Sequence, residues 1–185
     1  ERMWPTLQQP WYFDSPRDIT VGGNGYVYIA DSGHCRIQKF TSDGQFITKW
    51  GSEGSADGQF ESTSGIAVDG NGNVYITGLS KAAWGSPVNA HAGDDDTFIA
   101  KLNSSGELQW HTFLGGPDDD EGYGIAVDGS GNVYIVGRSK TSWGSPVNDH
   151  AGSEDAFAAK LNSSGELQWN TFMGASDRDY GDGIA

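Results

Sequence analysis

Cysteine is nearly absent: Cys35 stands alone among 185 residues. One thiol builds neither an internal disulfide framework nor a Cys-cluster zinc site. Predicted to lie in a strand, Cys35 reads as a small packing residue. Basic residues are scarce too, 11 Lys and Arg against 25 Asp and Glu, for a net charge of −14. A phosphate-binding surface needs clustered positive charge, so nucleic acid is excluded as a partner. No apolar run approaches the roughly 20 residues of a membrane span. The stretch from Glu1 to Pro10 lacks the apolar core of a secretory signal. No segment keeps a 3.6-residue apolar period for three turns, so no long helix is expected. G-x-S-x-G, P-loop and H-E-x-x-H motifs are missing as well.

What is abundant is glycine, 28 residues, and aromatics at 12%, with seven Trp. Such side chains are there to be packed, which excludes a disordered acidic tail. The charge is uneven. Glu1 to Trp50 holds five acids and five bases, whereas Gly51 to Ala185 holds 20 acids and 6 bases.

Repetition organises the chain. Gly65-Ile66-Ala67-Val68-Asp69-Gly70 returns at Gly124 and begins again at Gly183-Ile184-Ala185, an offset of 59 residues each time. Between 65–123 and 124–182, 42 of 59 positions are identical. A fainter relative, Asp18-Ile19-Thr20-Val21 to Ile29, lies 47 residues earlier. Each unit reads as four short strands. In the second unit they are expected at about 65–69, 73–78, 97–102 and 107–113, joined by Gly/Asn-rich turns. In the first they fall at about 18–22, 26–31, 35–40 and 45–50.

The first two strands of a unit are apolar on both sides of the pleat: Ile66, Ala67, Val68, then Val74, Tyr75, Ile76. A sheet covered on one face would alternate. Four strands with both faces covered describe a propeller blade packed between neighbours. The expected fold is therefore an all-β β-propeller of four-stranded antiparallel blades. Residues 18–64, 65–123 and 124–182 are three complete blades. Residues 1–17 end a preceding blade, with Glu1-Arg2-Met3-Trp4 as its last strand, and 183–185 start a further one. Rings of this kind usually need at least four blades. The expectation is a partial ring, closed by further sequence or by association of copies; two copies giving six blades is the simplest closure.

Particular residues carry a family resemblance. Phe13-Asp14-Ser15-Pro16-Arg17-Asp18-Ile19-Thr20-Val21, followed by Tyr28-Ile29-Ala30-Asp31 and Arg36-Ile37-Gln38-Lys39-Phe40, resembles an NHL repeat, departing from it at Cys35. Phe98-Ile99-Ala100-Lys101-Leu102-Asn103, Thr112-Phe113-Leu114-Gly115-Gly116 and Gly124-Ile125-Ala126-Val127-Asp128 resemble the SBBP β-propeller repeats of bacterial surface proteins. The resemblance implies an extracellular or cell-surface setting. It is specific for fold and weak for function, since NHL-like propellers include binding platforms, receptors and a few lyases.

In such a blade the second-to-third-strand connection and the link to the next blade share one rim. The later units lengthen it with Leu79–Asp96 and Arg138–Asp155, each containing Trp-Gly-Ser-Pro-Val-Asn and His-Ala-Gly. This rim collects 13 of the 20 acids beyond residue 50. Three readings follow. The acids keep a Gly-rich β protein soluble. Or Asp96, Asp118, Asp120, Asp155, Asp177 and Asp179 bind a hard cation, Ca²⁺ in this reading. Or Trp84 and Trp143, with His91 and His150, form a site for a protein or carbohydrate. The two Trp residues also suit a simpler part, folding back as loop anchors. His91 and His150 recur once per blade, which suits a loop hydrogen bond.

The function expected is a non-catalytic scaffold or binding segment that self-associates or continues in a longer chain. A calcium-stabilised assembly protein is one alternative. A propeller lyase or hydrolase, with catalytic residues outside this chain, is the other.

Overall fold

The computed structural model describes residues 12–56 and 58–184. Three four-stranded antiparallel sheets follow one another along the chain. The first comprises β1 (Pro16–Val21), β2 (Val27–Asp31), β3 (Arg36–Phe40) and β4 (Phe46–Trp50). The second comprises β5 (Ser62–Val68), β6 (Val74–Ser80), β7 (Asp96–Leu102) and β8 (Leu108–Leu114). The third comprises β9 (Asp120–Val127), β10 (Val133–Ser139), β11 (Asp155–Leu161) and β12 (Leu167–Met173). Each sheet keeps its strands in chain order, and β5 lies against both β1 and β9. The three first strands thus line one inner edge, the arrangement of an unclosed β-propeller. The expected last strand Glu1–Trp4 lies outside the described residues. Gly183 and Ile184 form no strand; the Gly183 Cα lies 3.0 Å from where a Cβ on Gly124 would stand.

The turns explain why these residues form hairpins. Asp69 folds its own loop: Oδ1 accepts the backbone N–H groups of Asn71 and Asn73, each at 2.9 Å, and Oδ2 accepts Asn73 Nδ2 and the Tyr75 hydroxyl. Asp128 repeats this on Ser130, Asn132 and Tyr134. Both carboxylate oxygens are occupied, so this Gly/Asn loop is a structural turn. Burial opposes the charge on Asp69, yet the hydrogen bonds from Asn73 hold its pKa below the ordinary value. Asn103 and Asn162 organise the second hairpin of their sheets in the same way, each closed by a glycine at positive φ.

Between the sheets lie two apolar cores. One joins Tyr28, Ala30 and Ile37 to Ile66, Val74, Ile76 and Leu102. The other joins Ala67, Tyr75 and Ile99 to Ile125, Val133, Ile135 and Leu161. The second sheet is therefore a layer packed between neighbours, which is why its strands are apolar on both faces. Burying a Val, Leu or Ile side chain contributes roughly 1.5–3 kcal/mol, so the seams hold the arc together.

Candidate functional site

The connections 81–95 and 140–154 meet the links between sheets at one end of the molecule. Asp120 N donates to the Asp95 carbonyl at 2.7 Å, and Lys140 N to the Asp119 carbonyl at 3.2 Å. Aromatic anchors hold these loops down. The Trp84 ring stacks on His111 at 3.7 Å, almost parallel, and stands edge-on to Phe98 and Phe113. Trp143 stands edge-on to Phe157 and Phe172. Both indoles are buried. They are not surface platforms, which corrects the reading of Trp84 and Trp143 as ligand-binding aromatics. An indole is largely apolar, and the Phe-lined cores offered it more than water did.

Histidines serve the same loops. His91 Nε2 meets the Ser80 carbonyl at 3.0 Å, and His150 Nε2 meets that of Ser139 at 3.0 Å. Each imidazole stands edge-on to a phenylalanine, Phe113 or Phe172. His111 Nε2 reaches the Trp84 carbonyl at 2.7 Å; in the next sheet Asn170 Nδ2 donates to the Trp143 carbonyl at 2.8 Å. The exchange of His for Asn between repeats thus preserves one hydrogen bond.

The carboxylates divide into two sets. Asp118 and Asp177 are exposed, and only their backbone carbonyls, with the closer ones of Gly116 and Ala175, approach Gly93 and Gly152. Asp96, Asp120 and Asp155 are fully buried. Asp96 Oδ2 accepts Ala92 N at 2.6 Å, Asp155 Oδ2 accepts Ala151 N at 2.7 Å, and Asp120 Oδ2 accepts Gly116 N at 2.7 Å. Asp179 repeats the Asp120 bond on Ala175 N at 3.0 Å, but remains half-buried, with no further sheet beyond it among the described residues. Asp96 and Asp120 converge on Gly115: a Cβ there would stand 2.6 Å from Asp96 Oδ1 and 2.8 Å from Asp120 Oδ2. The remaining oxygen of each, Oδ1, has no hydrogen bond of good geometry, and neither has the nearby Thr141 hydroxyl or the Trp143 indole N–H, although Ser139 and Trp143 turn polar hydrogens towards Asp120 and favour its charged form. Burial pushes Asp120 up to about 7, reinforced by the charge of Asp96. Asp96 is raised as well, chiefly by burial, while Ala92 N–H and His91 oppose the rise. Among the described residues, no three His, Cys, Asp or Glu side chains gather closely enough to hold a metal ion.

A charged network completes this end. Arg138 donates to Glu154 Oε1 at 2.8 Å and to Glu121 Oε1. Glu154 Oε2 also accepts the Tyr180 hydroxyl at 3.0 Å, and Arg178 Nε stands 3.6 Å from it. Lys140 pairs with Asp119. Leu79 stands at the position of Arg138 one repeat earlier. The sequence does not reveal the network, because its members come from separate parts of the chain: β9, β10, the 140–154 connection and the segment after β12.

Along the inner strands runs a hollow of about 330 Å³ lined by Asp18, Ile19, Thr20, Ile66–Val68, Ile125–Val127 and Ile184. Its described walls bring aliphatic side chains and one carboxylate together, with no imidazole.

Comparison with known proteins agrees with this architecture. The SBBP β-propeller repeat family matches residues 62–83 and 109–142, and the NHL repeat family matches residues 13–40. The regulatory protein FlaEY of Caulobacter vibrioides is 32% identical over 74 residues, 40% of this chain. That stretch is 8% of FlaEY, so the chain spans less than a tenth of that relative. A crystal structure of a protein of unknown function from Bacteroides caccae superposes on 85% of this chain and 67% of that one, at 14% identity and a TM-score of 0.29. No functional argument follows from so loose a superposition.

Proposed function

We propose that this run of NHL and SBBP β-propeller repeats is a non-catalytic scaffold, and that its long-loop end is the face that binds a protein or carbohydrate partner. The observation that carries the reading is the contrast between anchors and acids. Trp84, Trp143, His91 and His150 pin the long connections to the sheets, while Asp94, Asp118, Asp149 and Asp177 stay exposed on them. Loops held rigidly by a β scaffold lose little conformational entropy on binding. A bacterial extracellular or cell-surface setting fits the repeat type, and protease accessibility on intact cells checks it. The aliphatic lining of the inner hollow supports a non-catalytic role.

The test uses the whole chain against glycan and extracellular-protein arrays, beside a variant carrying Asp94→Lys, Asp118→Lys, Asp149→Lys and Asp177→Lys. Binding lost in the variant supports this face; binding unchanged places the partner elsewhere.

Calcium-stabilised assembly is the second reading, favoured by the Oδ1 atoms of Asp96 and Asp120, which lack a hydrogen bond of good geometry. A melting temperature that is the same in millimolar Ca²⁺ and in chelator removes it.

A further inference from the structure

At the hairpin end of the molecule the two seams differ by one exchange. In the first seam Tyr26, which closes the turn between β1 and β2, packs against the apolar core. Lys39 lies over its ring, 4.5 Å from the centre, and reaches across the seam to donate to the Ser104 carbonyl at 3.4 Å. One sheet on, Asn73 precedes Val74-Tyr75 as Tyr26 precedes Val27-Tyr28, and Lys101 pairs with Tyr75 as Lys39 pairs with Tyr28. The shorter Asn73 does not fill the seam. A pocket of about 400 Å³ lies there between the 69–73 and 128–131 turns, with Lys101 and Ser163 on its walls. That volume is in the range of small-molecule sites.

The exchange also frees an ammonium. The Ser163 carbonyl, counterpart of the one that holds Lys39, accepts Trp110 Nε1 at 3.1 Å instead. Among the described residues Lys101 Nζ has no hydrogen bond or ion pair; it lies 5.2 Å from the centre of the Tyr75 ring. The other wall groups select the ligand. Asp69 and Asp128 put two carboxylates beside this one ammonium, on a chain of net charge −14, which disfavours an anion. A hard cation needs free oxygens, and every oxygen of both carboxylates already accepts two hydrogen bonds from its own hairpin. The groups left over are the ammonium, the Ser130 and Ser163 hydroxyls, the Asn71 carboxamide and the Asn73 carbonyl oxygen. They mix donors and acceptors without adding charge beyond the ammonium, and their complement is an uncharged molecule dense in hydroxyls.

We propose that this pocket binds a short neutral carbohydrate. Lys101 and the two serines donate to its oxygens, and the Asn73 carbonyl accepts from its hydroxyls. The walls come from one internal seam, between the second and third sheets. The pocket is at the hairpin end, away from the long connections, so this proposal and the long-loop face can fail separately.

The test is isothermal titration calorimetry of the intact chain with maltose, cellobiose, lactose and diacetylchitobiose, beside glucuronic acid and glucosamine as charged probes. The Trp110 indole N–H, bonded to Ser163, reports on the pocket by nuclear magnetic resonance and is assigned with Trp110→Phe. At least one neutral disaccharide should bind and shift that resonance. Lys101→Met should weaken binding about tenfold or more, the loss of one charge-assisted hydrogen bond. Lys160→Met, which removes the corresponding lysine over Tyr134, should leave binding unchanged. Asn73→Tyr should abolish binding by refilling the seam as Tyr26 does. Should that variant melt early, Ser163→Ala joins Lys101→Met in deciding, with a several-fold loss expected. The fourfold Asp→Lys variant of the long-loop face should bind sugar as the wild type does. Three results overturn the proposal: no neutral sugar bound at millimolar concentration; binding that Lys101→Met and Ser163→Ala leave unchanged; or tighter binding of glucuronic acid or glucosamine than of any neutral sugar.

Discussion

Asp120→Asn is the sharpest test of the buried carboxylate pair. Asp120 is fully buried, accepts Gly116 N at 2.7 Å, and leaves Oδ1 without a hydrogen bond of good geometry. Asp96, Ser139 and Trp143 are its neighbours, with His91 and Asp95 around Asp96. Burial and Asp96 together place its pKa at about 7 in the fold, against an ordinary 3.8. The folded state therefore holds a proton that the unfolded chain has released between about pH 4 and 7. Stability should be greatest at the acidic end of that window and fall as pH rises towards 7, then level off. The full effect is roughly 4 kcal/mol as a ceiling. Asp31, Asp69, Asp128 and Glu154 are held below their ordinary values, so their contributions are lost only as pH falls through the carboxylate range, below this window. The amide introduced by Asp120→Asn would keep the Gly116 bond through its carbonyl and turn a neutral N–H₂ towards Asp96. In urea unfolding at pH 5, 6, 7 and 8, the wild type should lose stability across the series. Asp120→Asn should flatten that slope, match the wild type within about 1 kcal/mol at pH 5 and exceed it at pH 8. A variant as pH-dependent as the wild type, or less stable at pH 8, would refute the reasoning.

Further substitutions probe the anchors and seams. Trp84→Ala and Trp143→Ala should each lower stability by roughly 3–5 kcal/mol, measured by urea unfolding, because each empties a Phe-lined site. His111→Asn should be tolerated far better than His111→Leu, since Asn170 shows that an amide can reach the tryptophan carbonyl; thermal melts separate them. Arg138→Met should lower stability by roughly 3 kcal/mol, because Glu154 is nearly enclosed and loses its closest cation. Gly106→Ala should be more damaging than Gly44→Ala in the monomer: both positions strain the backbone, but only Gly106 lies under an indole.

Strand placement was legible because the sequence repeats itself and fills both faces of the pleat. What escaped was where the inner strands begin. β5 starts at Ser62 and β9 at Asp120, before the repeating Gly-Ile-Ala-Val. Irregularities between Thr63 and Gly65, and opposite Val136 and Gly137, let the chain keep pairing beyond that motif. Glycines 78 and 137 permit it, since a Cβ at either would strike a backbone carbonyl on the facing strand. A motif search anchored on the repeat cannot see pairing that depends on a bulge.

The acidic run Asp118–Glu121 shows the same boundary between sequence and fold. Four consecutive carboxylates look alike in the chain. In the structure Asp118 is exposed, Asp119 pairs with Lys140, Asp120 is sealed beside Asp96, and Glu121 meets Arg138. Their fates are assigned by the neighbouring sheets. Asp179, the repeat of Asp120, makes the same bond to the residue four before it yet stays half-buried, because no described sheet follows. A local hydrogen bond is therefore encoded within the repeat, whereas burial and its pKa consequence belong to the seam. Any event that adds a sheet beyond β12 should seal Asp179 as Asp120 is sealed, and slowed hydrogen exchange at the Ala175 N–H, which donates to Asp179, reads out that packing step.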